Sequence, residues 1–180
     1  PHTKALVMRD PHRERTICVI GDNLHPTADD PLPWDQLEHV DGVYFTGQDP
    51  RTLQLARRAP LLVVTARRFD ALVESGVRAD VLVGSGRDRG EQVDLARLSV
   101  QPGHVVVTRG SDGGTGYVAV KPPGPVVDTY GAGDTFVAGV VFGLASGKPL
   151  PEALRFGAEK AAEAVTWRGA YPARTRDGSW

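Results

Sequence analysis

The chain has 180 residues, enough for one domain with a buried core, and its 41% hydrophobic and 24% charged content fits a soluble globular protein. A net charge of −1 gives no basis for a nucleic-acid or other polyanion partner. No segment approaches the ~18 apolar residues of a membrane span and no charged-then-apolar secretory pattern opens the sequence, so the expectation is a cytoplasmic protein without membrane contact.

In chain order, residues 4–8 and 15–20 are short apolar runs flanking Asp10-Pro11-His12-Arg13, which predicts a hairpin-like strand pair. Cys18, the single cysteine, has no partner for a disulfide or metal cluster; it reads as a small buried strand residue in a reducing compartment. Residues 23–34 are rich in Pro and Asp and predict a loop, with a helical turn at 34–39. Strands are expected at 42–46 (GVYFT), 61–65 (LLVVT), 80–83 (DVLV) and 104–108 (HVVVT). Helices are expected between them at 50–58, with Pro at the first turn, at 69–75, closed by Gly76, and weakly at 91–98. Residues 117–120 read as a hairpin partner of 104–108 across a Gly-rich loop.

Two stronger helices follow. Residues 132–146 are nearly all apolar, which predicts burial on most sides, and residues 151–166 are amphipathic with Glu152 in the first turn. Continuous apolar strands separated by helices imply a single α/β domain with a mostly parallel sheet covered on both faces.

Ligands of open α/β sheets sit beyond the carboxyl ends of the strands. Three such ends are unusual here: residues 84–90, 109–114 and 128–134. In the last, Gly131-Ala132-Gly133 opens a helix and leaves bare N–H groups at its positive end, with Asp134 beside them. Phosphoryl transfer to an alcohol needs both parts: donors for the moving phosphate and a carboxylate for the hydroxyl proton. A plain helix start, with Gly for the turn and Asp for the dipole, accounts for the same four residues. It does not account for Asp128, six residues earlier.

Residues 128–136 (DTYGAGDTF), followed by Ala138-Gly139, closely resemble the C-terminal signature of the ribokinase-like (PfkB) carbohydrate kinase family. The resemblance extends through residues 150–156 and 168–172 and is strongest from about residue 104 onward. It implies a three-layer Rossmann-like ribokinase fold, here the C-terminal two-thirds of it, and ATP-dependent phosphorylation of a sugar or nucleoside hydroxyl. Asp134 would be the catalytic base, and Gly131, Ala132 and Gly133 the anion hole. The turn Thr108-Arg109-Gly110-Ser111-Asp112-Gly113 resembles the family's Thr-x-Gly-x-x-Gly phosphate turn, which implies nucleotide contacts at Thr108, Gly110 and Gly113. Where the family has Asn-x-x-Glu for magnesium and phosphate through water, this chain has Ser85-x-x-Asp88. The nucleotide base would lie near Gly157-Ala158.

The resemblance further implies ATP and Mg²⁺ as cofactors. A monovalent cation such as K⁺ would sit at Asp128, with carbonyls near Ala164, Trp167 and Gly169, although a frequent family Ser appears as Ala173. The family's N-terminal Gly-Gly motif, main acceptor contacts and most of its lid have no match here. Their absence would expose sheet surface, an association liability with a homodimer among its outcomes. Two other readings stand beside the kinase. One is a non-catalytic nucleotide-binding homologue, motivated by Ser85 and Asp88. The other is a dinucleotide-dependent oxidoreductase, resting only on the glycines of 84–90 with their poor spacing.

Overall fold

The computed structural model describes residues 4–9, 15–21 and 24–169. Strands β1 (Lys4–Arg9) and β2 (Arg15–Ile20) pair antiparallel from Lys4↔Ile20 to Arg9↔Arg15, as the flanking apolar runs predict. The expected turn at 10–13 lies outside the described residues. This ribbon forms its own sheet, and its apolar side chains, Leu6, Val7, Met8, Ile17, Val19 and Ile20, are exposed. Cys18 is exposed with them, not buried as the sequence suggested, because among the described residues no second layer covers the ribbon.

The main sheet has four parallel strands in the order β3 (Val43–Phe45), β4 (Leu62–Thr65), β5 (Val81–Ser85), β6 (His104–Thr108). Its two central strands are apolar on both faces, as a sheet between helical layers requires. Leu62, Val63 and Val64 are fully buried; Leu62 and Val64 join one core, and Val63 joins the other. The first core is closed by α1 (Pro50–Ala56) and α2 (Phe69–Ser75) through Leu53, Ala56, Phe69 and Leu72. The second is closed by α3 (Ala132–Ala145) and α4 (Leu150–Ala164) through Phe136, Val137, Val140, Leu154 and Ala158. Three layers result, the architecture that alternating strands and helices imply.

Local chemistry sets the helix ends. Asp49 caps α1 by accepting the Thr52 amide at 3.0 Å and its hydroxyl at 2.7 Å, with Pro50 at the first helical position. Gly76 ends α2 at φ 64°.

Three expectations change. The weak helix at 91–98 is replaced by short 3₁₀ turns at Arg89–Glu91 and Leu95–Arg97. Asp94, in its middle, accepts the Ala96 amide at 3.1 Å and so competes with helical hydrogen bonding. The hairpin partner at 117–120 is reduced to isolated bridges Thr108↔Gly114 and Gly114↔Tyr117, because Gly114 and Tyr117 bond each other in a tight turn. Helix α3 is buried along one face only: Ala138, Phe142 and Ala145 are exposed, Phe142 at 61%.

Helices α3 and α4 meet backbone to backbone. A Cβ on Gly139 would stand 2.7 Å from the Gly157 Cα, and one on Gly157 would stand 2.6 Å from the Phe136 carbonyl oxygen. Both glycines are therefore required by close approach. Gly157→Ala should cost about 1–3 kcal/mol of stability by overpacking, measured by urea unfolding; an unchanged midpoint would show that the two helices can slide apart freely.

Candidate active site

The first turn of α3 stands at the carboxyl-end side of the sheet. Gly131 adopts φ 77°, a left-handed conformation suited to glycine, and turns the chain into the helix. Its carbonyl accepts both the Thr135 amide at 2.8 Å and the Thr135 hydroxyl at 2.9 Å. The Ala132 amide reaches the Thr129 carbonyl at a long 3.4 Å, and the Gly133 and Asp134 amides form no hydrogen bond among the described residues. These are the unsatisfied donors that any helix start presents, here open to solvent. Gly133 has helical φ, and a Cβ added there would meet nothing within 4 Å.

Asp134 is exposed and forms no hydrogen bond or ion pair among the described residues. Its charge is felt at Tyr44 on β3. Burial first, and then the Asp134 carboxylate, push the Tyr44 phenol up to about 12.

Asp128 has a different task. One of its oxygens accepts the Tyr130 amide at 2.9 Å and the other accepts the Gly169 amide at 3.2 Å. The Val165 carbonyl accepts the amides of Val127 and Asp128. The loop entering α3 is thus laced to the segment leaving α4. The Ala164 carbonyl, expected near a monovalent cation, accepts the Trp167 amide at 3.1 Å. Ala173 lies outside the described residues.

The turn after β6 closes on itself. The Arg109 amide donates to the Gly113 carbonyl at 2.7 Å, and Gly110–Asp112 forms one 3₁₀ turn. Gly110 has φ 62° and Gly113 φ 79°; a Cβ on Gly113 would come within 2.8 Å of the Ala119 amide nitrogen. The Thr108 hydroxyl reaches the Gly84 carbonyl at 3.4 Å. Register Ser85↔Thr108 and a 2.8 Å bond from the Gly86 amide to the Thr108 carbonyl join this turn to the loop after β5. An ion pair, Arg87 Nη2 to Asp112 Oδ2 at 2.8 Å, spans the two loops. On the other side, the Tyr117 ring stacks on Phe136 at 4.9 Å, linking residues 114–117 to the first turns of α3.

Ser85 and Asp88 are engaged within the chain. The Ser85 hydroxyl accepts the Arg87 amide at 3.2 Å, and Asp88 accepts the Gly90 amide at 2.8 Å and pairs with Arg67. The Gly90 amide, followed by the Arg67 guanidinium, holds the Asp88 carboxyl below the usual carboxylate range. Glu91, unremarked in the sequence because it reads as the start of a helix, accepts the Ser85 amide at 2.8 Å and pairs with Arg67 at 3.0 Å. Tyr44, Arg67 and Arg87 also escaped sequence reasoning; for Arg87 the signal was its place between Ser85 and Asp88. No α-helix follows β5 before β6, only short 3₁₀ turns, which removes the feature a dinucleotide site needs.

Gly157 and Ala158 are not open to a flat ring. Both are buried, with Gly157 against α3, so their small size is explained by helix packing. A groove of ≈ 550 Å³ lies between the 114–120 segment and the first turns of α4, lined by Gly114, Gly116, Tyr117, Val118, Val120, Pro151 and Arg155. No described helix is long and apolar enough to cross a membrane.

Residues 79–176 match the family model described as pfkB family carbohydrate kinase. A 79-residue stretch is 43% identical to acarbose 7(IV)-phosphotransferase of Actinoplanes sp., covering 44% of this chain and 26% of that relative. A 60-residue stretch is 47% identical to ketohexokinase of Mus musculus, covering 33% of this chain and 20% of that relative. Among solved structures, the ribokinase of Thermotoga maritima matches with TM-score 0.72 at 22% identity, over 94% of this chain and 65% of that one. The adenosine kinase of Sinorhizobium meliloti matches with TM-score 0.73 at 21% identity, over 96% and 63%. At such identities the structures establish the fold. The chain spans less than two thirds of each.

The Tyr44 phenol tests the placement of Asp134. An unfolded phenol titrates near 10 and the folded one at about 12. The stabilising contribution is therefore complete below pH ~10 and lost as pH rises through about 12. Unfolding free energy should fall across that window in the parent chain and fall less in Tyr44→Phe. Asp134→Asn should lower the Tyr44 midpoint, read by phenolate absorbance, without restoring it to 10, because burial remains. An unmoved midpoint would place the carboxylate too far away to matter.

Proposed function

Because the chain belongs to the pfkB family of carbohydrate kinases, we propose that it carries the nucleotide-binding and catalytic part of an ATP-dependent kinase acting on a small sugar or nucleoside. The observation that carries this reading is the first turn of α3: unpaired amides at Gly133 and Asp134 beside a carboxylate that nothing in the described chain occupies.

In the proposed reaction the acceptor hydroxyl oxygen bonds to the γ-phosphorus of ATP as the bond to the β-phosphate oxygen breaks, and ADP leaves. Asp134 takes the hydroxyl proton. The Gly133 and Asp134 amides hold the equatorial oxygens while charge redistributes, and they are already oriented, so no reorganisation is needed at that moment. The 108–113 turn cradles the other phosphates on its backbone. The base lies in the neighbouring groove, with Tyr117 and Val118 as apolar walls, rather than over Gly157 and Ala158. The named curated relatives are enzymes of carbohydrates, acarbose and ketohexose, which favours a sugar over a nucleoside as acceptor.

Magnesium would accompany ATP. The chain's own donors do not form a set for it: Asp88 is held by Arg67 and Gly90, and among the described residues no three His, Cys, Asp or Glu side chains group to hold an ion. No step is therefore routed through Ser85 and Asp88. Asp128 likewise serves as a loop tie, and a potassium ion there would share its carboxylate with two amides.

The same engagement of Asp88 favours the second reading, a homologue that binds nucleotide without transferring phosphate. MgATP binding with no phosphorylation across a sugar panel would establish it, and one good substrate would end it.

Asp134→Asn should lower kcat by roughly 10²–10⁴-fold with little change in ATP affinity; wild-type turnover in that variant sinks the assignment. Gly133→Ala separates chemistry from folding. The added methyl meets open space and replaces a poor helix former, so stability should rise by about 0.5–1 kcal/mol while phosphate transfer falls. Undiminished transfer would mean that nothing approaches that backbone during the reaction.

A further inference from the structure

We propose that Arg87 is the guanidinium that receives the β- and γ-phosphates of the nucleotide, leaving Asp112 as they arrive. The inference rests on the proposed function, since it concerns how that same site recognises ATP.

Four arginines, Arg67, Arg87, Arg89 and Arg109, stand around the two joined loops and differ in how firmly each is held, Arg89 forming no ion pair among the described residues. Arg67 pairs with both Asp88 and Glu91, and the Glu91 side chain is only 16% exposed and also holds the Ser85 amide. Two carboxylates, one of them largely sheltered, keep that guanidinium in place. Arg109 forms no ion pair among the described residues, and its backbone closes the turn by donating to Gly113. Arg87 is intermediate: it has one partner, Asp112, and the side chains of the pair are 59% and 69% exposed. A pair in that much solvent is worth little, so breaking it costs little.

The location of the pair gives it a use. A Cβ on Gly110 would come within 3.0 Å of Arg87 Nη1, so the guanidinium lies on the bare backbone of the turn that would cradle phosphate. Its partner Asp112 belongs to the same turn. Phosphate oxygens arriving there would repel the Asp112 carboxylate and attract Arg87. They offer the planar fork a bidentate partner with more charge than one carboxylate. The main chain of Arg87 is already anchored, since its amide donates to the Ser85 hydroxyl and the neighbouring Gly86 amide donates to the Thr108 carbonyl. Only the side chain has to move.

This arrangement makes Arg87 and Asp112 opponents with respect to ATP, although they are partners in the free chain. Replacing the two should therefore shift affinity in opposite directions, which a structural strap would not do.

The test is calorimetric titration of the full chain and its variants with MgATP and with AMP, which lacks the β- and γ-phosphates. Arg87→Ala should weaken MgATP by roughly tenfold or more and leave AMP unchanged, and Arg87→Lys should recover part of the loss. Asp112→Asn should tighten MgATP by about two- to fivefold. Melting temperatures should stay within a few degrees of the parent. Equal losses in Arg87→Ala and Asp112→Asn, with lowered melting temperatures, would reduce the pair to a strap and overturn the proposal. So would an Arg87→Ala variant that binds MgATP like the parent while Arg109→Ala does not. A parent chain that binds neither nucleotide would instead remove the kinase reading itself, which separates the two failures.

Discussion

The contact of α3 with α4 at Gly139 and Gly157 decides where the first turn of α3 can lie. With less than a methyl group of space between the two backbones, the helices are locked in rotation and in height. Phe136, Val137 and Val140 then have to face the sheet, against Val63, Val81, Val83 and Val106. Residues two apart on a helix lie about 200° apart around its axis, so the burial of Phe136 turns Asp134 outward, to the solvent side. The stacking of Tyr117 on Phe136 ties the far loop to this same anchor. The exposure of one carboxylate is thus a consequence of packing well away from it.

The acidic residues around the strand ends divide by what they hold. Asp128 holds two backbone amides, Asp88 an amide and a guanidinium, Glu91 an amide and the same guanidinium, and Asp112 a second guanidinium. The first three fix loops, whereas the pair at Asp112 is exposed and loosely held. Asp134 holds nothing within the described chain, although donors stand beside it. A carboxylate engaged by internal partners has its oxygens already taken, whereas one left open has them free to meet a substrate. Two carboxylates of one nine-residue motif, Asp128 and Asp134, therefore separate into a tie and a candidate base.

Much of the fold could be read directly from the sequence. Strands β4, β5 and β6 announce themselves as β-branched runs with Gly or Pro nearby, and Asp49-Pro50 and Gly76 mark helix ends by local rules that tertiary structure respects. The failures came where a side chain found a partner that the linear pattern does not show. Asp94 took a backbone amide and replaced a helix with 3₁₀ turns. Gly157 and Ala158, read as room near a nucleotide base, are buried, and the small size of Gly157 also serves the contact with α3. Within the candidate site, the helix start at residues 131–134 was legible because its geometry is local. The engagement of Asp88 by Arg67, 21 residues away in sequence, was not. Composition and spacing indicate which groups are present, and only the packed chain shows which are already taken.

The glycines make the same distinction between what the chain needs and what a ligand would need. Gly131 and Gly110 are explained by positive φ, and Gly113 by positive φ together with a close backbone neighbour. Gly139, Gly143 and Gly157 are explained by helix contacts, since a Cβ at each would come within 3.0 Å of the opposing helix. Gly133 has neither reason. Its φ is ordinary, the space around it is open, and alanine there would favour the helix. A residue that costs stability without serving the fold has its cause outside the fold. In the first turn of a helix whose amides are unpaired, the anion site proposed above would supply that cause, since a methyl group would intrude on an anion drawn against this backbone.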